Sequence, residues 1–140
     1  MEKLTKHYNK TTGLQCMNEI MMEMTSEKFQ VNSNIIAQFH KDNEGNVLVA
    51  FQKQYLEEGP ECAINVAREN INVLFNDIRI LFLAKTLSRE EISSILDASF
   101  VDAFLHFVQP LSEVSLFPNI YTTEQRIFWT PFSSKHPLQN

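Results

Sequence analysis

Residues 61–85, ECAINVARENINVLFNDIRILFLAK, do most to limit what this chain can fold into. Ile64, Ala67, Ile71, Leu74, Phe75, Ile78, Leu81 and Phe82 recur at three- and four-residue steps, the period of a helix with an apolar face. Val66, Val73, Ile80 and Leu83 add a second apolar strip. A helix apolar round so much of its circumference is expected at the centre of the fold, covered by the other elements. Gly59 breaks the element before it, and Pro60 suits a first helical turn.

The segments on either side read differently. Leu14, Met17, Ile20, Met21 and Met24 share one face of a helix expected from Gly13 or Leu14 to about Met24, with Met22 off that face beside Gln15 and Asn18. In 35–55, Ile35, Ala37 and Phe39 alternate with Ile36, Gln38 and His40, and Val47, Val49 and Phe51 alternate with Leu48, Ala50 and Gln52. Two alternating runs around KDNEGN read as a β-hairpin, because Asn, Asp and Gly tolerate the positive φ of a tight turn. Ser88 with Glu91 is a capping box opening a helix at 89–97, and helical pattern continues to about Val108. Asp97 or Ser99 is placed to cap a second helix there, and Pro110 is expected to end the run. IYTTEQRIFWTPF, in the tail, is β-friendly at 120–123 and 126–130.

The expected fold class is therefore α+β, with three to four helices on a small antiparallel sheet built from 35–40, 46–55 and 126–132. The alternative is all-α, with 46–57 helical. A length of 140 residues fits one domain with flexible ends at 1–12 and 133–140, large enough to fold without metal or disulfide.

Charge and motifs exclude several functions. A net charge of −5, with no basic run longer than a dipeptide, disfavours phosphate-backbone binding. The polar N-terminus MEKLTKHYNKTTG lacks the apolar run of a signal peptide. The longest apolar runs, such as IRILFLA at 78–84, fall far short of the ~20 residues that span a bilayer. The expected compartment is the cytoplasm, with no membrane and no nucleic-acid partner. Cys16 and Cys62 lie in no CxxC or CxxH, and are expected as free thiols. His7, His40, His106 and His136 make no HExxH, and three glycines cannot build a phosphate-binding loop. No cofactor and no metal are expected.

Two functions from different classes fit what remains. In the first, the chain is a small acidic protein-binding module (an inhibitor, immunity-type protein or adaptor) that occupies a partner sterically. Met17, Met21 and Met22 supply one contact surface and Arg126, Phe128 and Trp129 another, since methionine, tryptophan and arginine are enriched at interfaces. Its acidity suits a basic partner, and a homodimer is compatible with either surface. In the second, the chain is a small-ligand binder or enzyme with a pocket between the hairpin and the long helix, using His40, Arg79 and His106. A buried Arg79 is expected to pair with Asp77 or Asp102.

Overall fold

The computed structural model describes residues 2–115 and 121–134. Among them the elements are helical and no strand occurs, which corrects the expected α+β class to all-α. In chain order the helices are α1 (Glu2–Met24), α2 (Glu27–Asp42), α3 (Val47–Glu58), α4 (Ala63–Leu83), α5 (Arg89–Ile95) and α6 (Ala98–Ala103). A π-turn (Phe104–Val108) joins α6 directly to α7 (Gln109–Glu113), and α8 (Tyr121–Trp129) runs into a 3-10 turn (Thr130–Phe132).

Each expected strand fails for an identifiable reason. Residues 35–40 lie in α2, whose inward positions are Phe29, Asn32, Ile36 and Phe39, at helical steps. The alternation at 35–40 was a short-range coincidence inside that longer period. Ser26 starts α2 by accepting from the Phe29 backbone N–H, a cap that KDNEGN overshadowed in the sequence. That segment does turn the chain, with Gly45 at φ 82°, but it joins two helices. Residues 47–55 form α3, which turns Val47, Phe51 and Tyr55 inward at four-residue steps. The supposed third strand at 126–132 is the end of α8 and the 3-10 turn. The flexible end expected at 133–140 falls mostly outside the described residues.

Helix termini follow local chemistry more closely. Gly59, at φ 83°, closes α3, a conformation that costs glycine little. Ser88 and Glu91 form the full capping box of α5, and Asp97 caps α6. Pro110 does not end its helix. It stands within the continuous run from α6 to α7, directly after the π-turn, whose bond from the Gln109 N–H to the Phe104 carbonyl widens the chain by one residue where the proline cannot donate.

The centre of the fold is α4, with α2 laid along it. Ile64, Ala67, Ile71, Leu74, Phe75 and Ile78 are buried as expected, each large side chain contributing roughly 1.5–3 kcal/mol. Val66, Val73, Ile80 and Leu83 are exposed, so α4 is covered on part of its circumference and not all round. Phe75 stacks on Phe104 at 4.2 Å and meets Trp129 edge-on at 5.0 Å, tying α4 to the π-turn and α8. Gly13 lets α1 touch the chain before α5: a Cβ there would lie 2.7 Å from the Thr86 carbonyl oxygen.

Candidate functional site

The π-turn at Phe104–Val108 interrupts the helical run from α6 to α7. The Gln109 N–H reaches back five residues to the Phe104 carbonyl. Such single π-turns occur mostly as insertions in α-helices and frequently mark functional sites. Here the turn is a wall between two hollows.

The first hollow is a cleft of about 320 Å³ between α2, α4 and the α6–π-turn segment. Its floor is buried and apolar: Ile36 from α2, Ile71 and Phe75 from α4, Phe104 and Val108 from the π-turn. Half-buried Phe29, Ser33 and Phe107 form its sides. Asn34, Ala37, Phe100 and Ala103 are exposed and border its mouth. No charged side chain lines it, and its polar side chains, Ser33 and Asn34, both come from α2. Phe100 leaves 40% of its surface in solvent at the mouth, an apolar exposure in keeping with a groove that takes a ligand.

The second hollow, about 570 Å³, lies on the other side of the π-turn and shares Ala103 and Phe107 with the first. It is lined by Ser99, Asp102, Leu105, His106 and Ser133. Asp102 is already engaged: it accepts from the Ser134 backbone N–H at 3.0 Å and from the Ser134 hydroxyl.

Two histidines hold the shared wall. His40 Nε2 lies 2.8 Å from the Phe107 carbonyl oxygen, which can only accept, so Nε2 carries a proton. The His40 ring meets the Phe107 ring edge-on at 4.8 Å, and His106 does so at 4.7 Å. Burial pushes the His40 pKa below its usual value, the bond to Phe107 opposes that shift, and His106 adds to it. The bond from Nε2 and the edge-on ring contact together brace Phe107 against α2.

The sequence-derived ligand set is therefore divided. His40 and His106 converge on Phe107, though neither lines the apolar cleft. Arg79 lies on the next face of α4, buried, donating from Nε and Nη2 to Asn76 Oδ1 at 3.2 and 2.9 Å. Its Nη1 is 3.5 Å from Glu124 Oε2, and its guanidinium lies 5.7 Å from the Tyr121 ring centre. It pairs with neither Asp77 nor Asp102, because the residue one turn back and α8 reach it first. It belongs to a polar seam of Asn65, Arg68, Asn72, Asn76 and Arg79 that the sequence reading passed over. Their three- and four-residue spacing was the available signal. Arg68, buried, donates to Asn65 Oδ1, Ser112 Oγ and Glu69 Oε1, and burial lowers its pKa. Gln125 of α8 donates to Asn72 and accepts from Trp129 Nε1 at 3.1 Å.

The two expected contact surfaces also separate. Trp129 is 0% exposed and offers a partner nothing. Phe128 is half-buried against Phe82 at 5.3 Å, and Arg126 donates from Nη2 to Glu113 Oε1 at 2.6 Å. On α1, Met17 packs on the core, while Met21 is 49% exposed and Met22 71%. Cys16 and Cys62 are free, and burial, with Glu19 beside it, raises the Cys16 pKa.

The cleft residues Phe29, Phe100, Phe104 and Phe107 were missed as a site. The last three stand at helical steps in FVDAFLHF, but only the helix–helix geometry shows that they frame a hollow. Among the described residues no group of three or more His, Cys, Asp or Glu could hold a metal ion, and no helix is long and apolar enough to cross a membrane. No protein family, curated protein or solved structure matches the chain.

Proposed function

We propose that this chain is a small-molecule-binding protein that takes an apolar ligand into the cleft between α2, α4 and the π-turn. The observation that carries the reading is the cleft: a hollow of about 320 Å³ with a buried aromatic floor, an exposed mouth and no charged lining. Small-molecule sites are concave, largely apolar and furnished with a few polar groups that set orientation. The absence of a charged group in the lining argues for holding a ligand, not transforming it, since acid–base chemistry needs a titratable group within reach.

A thermal-shift screen of neutral apolar fragments tests this reading. At a hundred times its Kd, a ligand of the folded state stabilises it by about 2.7 kcal/mol, a rise of several degrees in Tm. Ala37→Phe, at the mouth, should remove that rise while leaving the ligand-free Tm close to wild type. An equal rise in both proteins would place the ligand elsewhere.

A second reading keeps a partner protein on α1, favoured by the exposure of Leu14 (55%), Met21 and Met22. Methionine is over-used at adaptable binding surfaces. Met22→Asp should then abolish binding of that partner with no change in Tm, whereas unchanged binding would remove this surface from consideration.

A further inference from the structure

The composition of the cleft narrows its ligand, and this inference rests on the small-molecule reading given above. We infer that the site takes a neutral aromatic molecule of about two rings carrying one hydrogen-bonding group, with that group at Ser33 and Asn34. Size comes first. A cavity of roughly 150 Å³ lined by apolar residues accommodates benzene, so one of about 320 Å³ has space for a body near twice that.

Shape and polarity come next. Phe29, Phe75, Phe100, Phe104 and Phe107 all line the cleft. Aromatic pairs prefer offset-stacked or edge-to-face contacts, which a flat ring system can make with several of these rings together, and a flexible chain cannot. Phe75 and Phe104 are stacked on each other at 4.2 Å, so a ligand meets the edges and an outer face of a preformed aromatic pair, the contacts a flat ring makes best. Charge is excluded by the lining: an ionised group moved off water there would meet no opposite charge. A hydroxyl or amide would not be stranded, because Ser33 and Asn34 sit together on α2. Ser33 is half-buried and Asn34 is at the solvent edge, so the polar end of the ligand points outward along that side.

Calorimetric titration with four probes tests both the class and its orientation: naphthalene, 2-naphthol, 2-naphthoate and 1-decanol. The wild type should bind 2-naphthol at least tenfold more tightly than 2-naphthoate or 1-decanol, and several-fold more tightly than naphthalene. Ser33→Ala with Asn34→Ala should bring 2-naphthol down to the affinity of naphthalene and leave naphthalene unchanged. Both changes favour helix, and an unaltered Trp129 emission spectrum checks the fold of the double variant. Tightest binding of 1-decanol, lost in Ala37→Phe, would overturn the aromatic class while preserving the cleft as a ligand site. An affinity for 2-naphthol that ignores the double substitution would overturn the polar contact. No binding of any probe would overturn the small-molecule reading itself.

Discussion

Met22 and Gly13 show how far single residues in α1 differ in what they tolerate. Met22 stands off the apolar stripe in the sequence, and in the fold it is the more exposed of the helix's neighbouring Met21–Met22 pair. Met22→Asp should leave the Tm unchanged within about 0.5 kcal/mol of stability, as surface substitutions do. Gly13→Ala would ordinarily stabilise a helix interior by up to about 1 kcal/mol. Here the new methyl would meet a backbone oxygen that cannot swing aside, so a net loss of about 1–3 kcal/mol is expected in urea unfolding. His40 supplies a pH-dependent term. Its folded pKa is held below the usual 6.5, chiefly by burial. Above that range neither state binds the proton and stability is full. As pH falls below about 6.5 the unfolded chain takes up a proton that the folded chain resists, and stability is lost until the folded pKa is reached. His40→Gln can still donate to the Phe107 carbonyl but does not titrate. Its stability relative to wild type should therefore rise between pH 7 and 5, and parallel pH profiles would contradict this role.

At the scale of elements, caps were legible and the helices over 35–55 were not. Ser88–Glu91 and Gly59 act through groups within a few residues, so the sequence contains the whole interaction. The run Ile35–His40 is too short for its period to be decided locally. What decides it is Ile36 reaching the core of α4 from a helix that starts at Ser26. The long helix was legible as central, yet its second strip faces solvent and its polar seam is shared, with Arg68 donating to Ser112 of α7 while Asn72 and Arg79 meet Gln125 and Glu124 of α8. A seam of paired amides and guanidinium groups fixes α8 by geometry as much as by burial. Gln125→Leu should cost about 1–3 kcal/mol, because it strips Trp129 Nε1 of its acceptor and removes the donor to Asn72. A neutral result in urea unfolding would mean that apolar packing alone positions α8.

For the whole molecule, the cleft exists because α2 and the α6–π-turn segment converge on α4 without closing. α2 covers one side of it, and the widened turn at 104–108 stands across from α2. No stretch of sequence contains that arrangement. Its phenylalanines are visible as apolar positions, but they read as core, since a residue lining a hollow and one filling it share the same period. The histidines drew attention as chemistry; His40 bonds the wall at the Phe107 carbonyl, and His106 lines the second hollow. Methyl-resolved NMR of the wild-type protein titrated with 2-naphthol addresses the central claim most directly. The expected result is a saturable set of shifts confined to Ile36, Ala37, Ile71, Ala103 and Val108, with the methyls of Met21 and Met22 unmoved. Shifts centred on Met21 and Met22, or none at the cleft under saturating ligand, would contradict it.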